Sequence, residues 1–206
     1  MSTADLVLRA SPTSPFVRKV RIAAAVLSLS ERIEVQVTDA MKDEADFLSQ
    51  NPLGKIPVLV TADGQSVYDS RVILEYLDHL AGGGRILPAD PDARFAALVL
   101  QATADGIMEA GVLATYEVRL RPEDQRSPWW IERQKAKIAR AVDALEAKAQ
   151  PLADPLTVGD IALACALGYL DLRFEGTWRE DHPKLVAWLD AFAAKVPAFE
   201  ETRFRG

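Results

Sequence analysis

Three short stretches carry residue types suited to holding a thiol and an amino acid: Ser14-Pro15-Phe16, Lys55-Ile56-Pro57 and Asp69-Ser70. Ser14 precedes a proline and a helical apolar repeat, so it reads as an N-cap with Pro15 in the first helical position. That reading leaves a donor to spare. A capping hydroxyl accepts from a backbone N–H and keeps its own proton for another acceptor, such as a thiolate. A hydrogen bond to a charged group is worth about 1.5–3 kcal/mol, and a helix start adds about 0.3–1 kcal/mol. At about 1.36 kcal/mol per pKa unit, the two would lower a thiol from about 8.5 by roughly one to three units. Ser14 would then activate a bound thiol without itself being a nucleophile.

Arg18, Lys19 and Arg21 follow in the first turns of the same helix, against the positive end of its dipole. They either favour an anion there or pair with acids elsewhere. Pro57 opens an expected strand. A trans Ile56–Pro57 bond is the base expectation, whereas a cis bond would turn the Ile56 backbone outward, where it could pair with a peptide-like ligand. Asp69-Ser70 lies at a strand-to-helix junction. It reads as a cap, or as a pair in which Ser70 and the helix amides hold a carboxylate and Asp69 accepts from an ammonium.

The elements that must position these residues follow from periodicity. Leu6–Leu8, Ile33–Val37 and Val58–Val60 read as strands, with Asp63-Gly64 turning the chain into a returning strand at Ser66–Tyr68. Ser14–Leu27 and Ser70–Leu80 read as helices, and residues 40–50 as a loop with a short helix. Residues 81–94, AGGGRILPADPDAR, are dense in glycine and proline and read as a linker. Beyond them only helices are expected, at Arg94–Arg119, Pro128–Gln150, after Thr157, and at Pro183–Lys195. Thr157 and Asp160 have capping-box spacing, and Leu156 and Ile161 fall where a hydrophobic staple would close around it. The expected domains are 1–81, a linker at 82–93, and 94–206.

The 206 residues carry a formal net charge of −6, with 49% apolar and 26% charged residues. An acidic chain of this kind is a poor match for nucleic acid or an anionic membrane surface. One cysteine, Cys165, excludes an internal disulfide, and two distant histidines give no zinc spacing, so no metal is expected. The start, MSTADLVLRA, lacks the apolar run of a signal peptide, and IALACALGYL is too short to span a bilayer. The reading is a cytoplasmic protein.

Taken in order, SPTSPFVRKVRI, NPLGKIPVLV, VYDSRVILEYL and TVGDIALACALGYL resemble the cytosolic glutathione S-transferases over nearly the whole chain. The resemblance implies an α+β protein: a thioredoxin-like N-terminal domain with a mixed four-stranded sheet, then an all-helical C-terminal domain, usually as a homodimer. It implies glutathione as co-substrate and a small electrophile as second substrate. Ser14 matches the residue that hydrogen-bonds the glutathione sulfur in serine-type members. Phe16, Ile56 with Pro57, and the Asp69–Ser70 pair match glutathione contacts, and Lys55 matches a partner for the glycyl carboxylate. Asp105 would reach the glutathione of the other subunit, or else stand as a solvated acid on the long helix. Met108, Val112 and Tyr116, at four-residue spacing, would line the electrophile pocket or else serve as core or dimer contact. Trp129 and Trp130 would cover a pocket or pack on a helix.

Ser14 and Val17 stand in place of a Cys-x-x-Cys pair, so dithiol exchange through the protein's own sulfur is excluded. The serine-cysteine run of the maleylacetoacetate isomerase type is missing as well. The alternatives are a non-catalytic glutathione- or partner-binding protein of the same fold, or a glutathione-dependent isomerase or reductase.

Overall fold

The computed structural model describes residues 4–42 and 44–205. The outer ends of the two expected domains, and residue 43 of the 40–50 loop, lie outside them. The chain runs β1 (Leu6–Ala10), α1 (Pro15–Val26), β2 (Ile33–Val37), α2 (Ala45–Gln50), β3 (Val58–Val60), β4 (Ser66–Val67) and α3 (Ser70–Leu80), followed by helices alone. These are α4 (Pro91–Arg119), α5 (Pro128–Ala147), α6 (Val158–Arg173), α7 (Pro183–Lys195) and α8 (Ala198–Glu201).

The sheet order is β2-β1-β3-β4. β1 pairs in parallel with β2, Leu8 opposite Val35, and antiparallel with β3, Leu8 opposite Leu59. The βα crossover between β1 and β2 places α1 on one sheet face, and Val20, Ile22, Leu8, Leu59, Ile73 and Leu77 there are fully buried. β2 departs from its sequence reading. Its alternation promised a half-buried strand, yet Val35 and Val37 are 45% and 73% exposed because β2 is an edge.

α4 begins at Pro91, three residues ahead of expectation, because Asp90 caps it by accepting from the Ala93 amide at 2.9 Å. The linker before it is tied down at one point. Buried Asp78 accepts from the amides of Gly84, Arg85 and Ile86 at 2.8, 2.9 and 2.7 Å. Reaching that carboxylate takes a run of left-handed backbone, φ 101°, 78° and 72° at Gly82, Gly83 and Gly84, which glycine adopts at little steric cost.

α6 is the axis of the helical half and is buried from Val158 through Leu170. Its start carries the expected reciprocal cap: Asp160 accepts from the Thr157 amide at 2.8 Å, and Thr157 Oγ1 accepts from the Asp160 amide at 3.4 Å. Leu156 and Ile161 are both buried beside it. α4 approaches so closely that a Cβ on Gly159 would sit 2.7 Å from the Ala97 carbonyl oxygen. The most apolar window of α4 has mean hydropathy 1.3, in the range of a membrane span by length and composition. Its buried side, including Ala104, Ile107, Met108 and Ala114, is part of the protein's own interior.

Candidate functional site

β1 ends at Ala10, and a turn in which the Ser14 amide donates to the Ser11 carbonyl at 3.1 Å delivers Ser14 to the start of α1. Ser14 is the N-cap, its Oγ accepting from the Val17 amide at 3.3 Å. The hydroxyl proton is therefore not used by the cap. Pro15 has no N–H and the Val17 amide is taken, so the Phe16 amide is the first-turn donor without a protein partner among the described residues. The Phe16 ring is half-buried, 6.0 Å from Lys19 Nζ.

The second stretch is held by Asn51. Its buried side chain donates to the Lys55 carbonyl at 2.7 Å and accepts from the Leu53 amide at 3.0 Å. The Ile56–Pro57 bond is cis, as is Tyr68–Asp69. Lys55 is exposed, and its ammonium has no ion-pair partner among the described residues. In the third stretch Asp69 caps α3 through the Arg71 amide at 2.9 Å, and Ser70 is buried as the first helical residue. The second Asp69 oxygen has no protein partner among the described residues.

Two of the three stretches converge on one carboxylate. Lys19, five residues past Ser14, pairs with Asp105 Oδ1 at 2.6 Å, and Arg71, next to Ser70, pairs with Asp105 Oδ2 at 2.8 Å. Both Lys19 and Asp105 are fully buried. Burial pulls the Lys19 ammonium below its ordinary value, against the attraction of Asp105. The two helix starts are thus both pinned to α4.

A cavity of about 390 Å³ opens beside Ser14 on the side facing α6 and the chain's C-terminal residues. Its lining includes Ser14, Arg18, Tyr169, Asp171, Arg179 and Arg203. Arg179 is bidentate on Asp171, at 2.9 and 2.7 Å. Cys165 lies at its base, wholly buried, and burial pushes the thiol up to about 12. It stays protonated and serves as a small core residue.

Residues 13–80 match the family model described as the glutathione S-transferase N-terminal domain, and residues 130–191 match the corresponding C-terminal domain. An uncharacterised GST-like protein of Escherichia coli, YibF, is 38% identical over 182 residues, 85% of this chain and 88% of its own. The chain belongs to the glutathione S-transferase family. A crystal structure of a glutathione transferase family member from Pseudomonas fluorescens Pf-5 with bound glutathione is 41% identical, with TM-score 0.91 over 98% of this chain and all of that one. A second structure from that source, with bound S-(propanoic acid)-glutathione, has TM-score 0.86 at 41% identity, covering 97% of this chain and all of that one.

Within this glutathione S-transferase, several residues singled out in the sequence lie away from the cavity beside Ser14. Asp105 does not reach toward another subunit, because it is fully buried and both its oxygens are taken by Lys19 and Arg71. Met108, Val112 and Tyr116 do not line the cavity beside Ser14. Met108 is fully buried core, Val112 is half-buried, and Tyr116 is 41% exposed. Each four-residue step advances about 40° round the helix, enough to pass from its buried side at Met108 to its exposed margin at Tyr116. Trp129 is exposed, its ring 5.6 Å from the Arg133 guanidinium and 6.2 Å from Trp130, away from the cavity. The cavity wall comes instead from α6 and from residues 202–204, and no spacing in the sequence pairs these with Ser14. The basic cluster that opened the question divides: Lys19 turns inward to Asp105, and Arg18 turns to the cavity.

Proposed function

We propose that the chain is a serine-type glutathione transferase whose N-terminal domain binds glutathione and whose Ser14 hydroxyl stabilises the bound thiolate. The observation that carries this is the state of Ser14: its oxygen is used as the cap acceptor, its proton is spare, and it borders an open cavity. The Pseudomonas relative, solved with bound glutathione and with a bound glutathione conjugate, supports the glutathione-binding part of this reading. The Ile56 backbone beside the cis bond pairs with the cysteinyl part, Asp69 accepts from the γ-glutamyl ammonium, and Ser70 holds its carboxylate. Lys55 meets the glycyl carboxylate, and the Phe16 amide faces the sulfur end. The division into residues 1–81 and 94–206 then places the thiolate at the boundary between the sheet half and the helical half.

The electrophile enters the cavity against α6. The thiolate sulfur forms a bond to its carbon. It either displaces a leaving anion or adds across an activated double bond, whose carbanion then takes a proton from water. Ionisation and proximity supply the rate gain. The working form is a homodimer in the cytoplasm.

The test is a glutathione titration read by thiolate absorbance in the ultraviolet across pH, on the native chain and on Ser14→Ala. The bound thiol is expected about one to three units below its free value of about 8.5, with most of the shift lost in Ser14→Ala. Binding with an unshifted thiol would end the assignment of Ser14.

A further inference from the structure

The cavity beside Ser14 runs against the net charge of the chain. The protein carries net charge −6, yet three arginines, Arg18, Arg179 and Arg203, line this cavity with Asp171 as the one acidic residue of the wall. Arg179 is neutralised by its bidentate bond to Asp171. Arg203 is paired at 3.0 Å with Glu200, an exposed contact one helical turn away, with both side chains about half-exposed. Arg18 has no carboxylate partner among the described residues. Its Nη2 donates to the Phe199 carbonyl at 2.5 Å and its Nε to Thr202 Oγ1 at 3.3 Å, and the guanidinium lies 4.1 Å over the Phe199 ring. The contacts fix its plane and leave Nη1 unbonded.

Gly168 is part of this arrangement. A Cβ at that position would collide with Arg18 Nη1, so the absence of a side chain on α6 is what lets the guanidinium lie across the helix at the cavity wall. Two hydrogen bonds, a ring contact and a bare α6 backbone orient a cation with no carboxylate partner among the described residues. A partly buried guanidinium without a counter-ion is costly, and an incoming anion relieves that cost. Burial pulls Arg18 below the usual guanidinium value, yet it stays charged. The net balance of the wall with Glu200 is one positive charge, which matches a monoanion.

We propose that this cavity selects an electrophile bearing a carboxylate, held by Arg18 and Arg203 while its reactive carbon faces the sulfur beside Ser14. This rests on the reading of the cavity as the second-substrate site. The anion is not one of glutathione's own carboxylates: Lys55, Ile56, Asp69 and Ser70 do not line this cavity, and Ser14 is the residue the two sites share. Arg18 is the oriented donor. Arg203 is the exposed one, and a ligand carboxylate can replace its surface contact with Glu200.

The test compares two conjugates by calorimetry, S-(2-carboxyethyl)glutathione and its neutral amide isostere S-(2-carbamoylethyl)glutathione, with glutathione as reference. The carboxylate is expected to bind at least about tenfold more tightly than the amide. That ratio should fall severalfold in Arg18→Gln and in Arg203→Gln, and should shrink in high salt. Arg18 also braces the Phe199 backbone, so Arg203→Gln, on the surface, keeps the test valid if Arg18→Gln does not fold. Equal binding of the two conjugates by a protein that binds glutathione normally would overturn carboxylate selection and leave the transferase reading intact. A ratio unmoved by either substitution would overturn the role of the arginines. Failure to bind glutathione at all would sink the underlying reading, and this inference with it.

Discussion

Asp105→Ala tests whether the buried ion pair behind Ser14 acts as the geometry requires. Lys19 has no exposed side-chain surface and Asp105 has 1%, and they meet at 2.6 Å. Removing the carboxylate leaves an ammonium with neither water nor a counter-ion, for which about 3–5 kcal/mol is the expected loss. Arg71 contributes little to this figure. Its side chain is 49% exposed and keeps Glu109 at 3.1 Å, so its lost contact is worth at most about 1 kcal/mol. At roughly 2–4 °C per kcal/mol for a chain of this size, the melting temperature should fall by about 6–20 °C.

Tryptophan fluorescence in a urea or thermal titration reads the change. The loss should shrink as pH rises: Asp105 opposes the lowering of Lys19, so without it the variant's lysine sheds its buried charge at lower pH than the native one and regains stability over that interval. Replacing both partners, Lys19→Met with Asp105→Leu, should recover most of the loss, since no charge is left buried. A drop under about 1 kcal/mol for Asp105→Ala, or a double variant as unstable as the single one, would refute the argument.

Two further outcomes follow from protonation. Cys165, with its thiol pushed up to about 12 by burial, should be inert to a disulfide reagent at neutral pH in the native protein and react fully once urea unfolds it. Fast native labelling would contradict that burial. His182 presents one ring nitrogen to Asp143 at 2.9 Å and the other to the Trp178 carbonyl at 2.6 Å, a pattern that suits the imidazolium. Burial lowers its pKa, but the two hydrogen bonds outweigh that, and the net shift is upward. Its contribution should therefore be complete below about pH 6.5 and disappear as pH rises through the higher folded value. Asp143→Asn should flatten this part of the stability profile, and an unchanged profile would remove His182 as its source.

The sequence by itself determined the elements and the three stretches that hold the proposed glutathione contacts. Ser14-Pro15, Asp69-Ser70 and Thr157–Asp160 are legible because capping is local: the side chain that caps and the amide that is capped lie two or three residues apart. The change from a sheet to helices alone was legible for a similar reason, in the glycine and proline of 81–90, although Asp90 starts α4 ahead of expectation. The fate of the basic cluster after Ser14 belonged to the tertiary structure alone. Neighbouring Arg18 and Lys19 point from adjacent positions on α1 to partners at 105 and 199–202, and which acid or carbonyl each meets depends on how α4, α6 and α8 pack. The cavity wall beside Ser14 was hidden for the same reason. The repeat at Met108, Val112 and Tyr116 records a helix period and not the direction in which that helix faces. The residues that do meet Ser14 across the cavity come from positions 165–172, 179 and 202–204, brought together by burial and not by spacing.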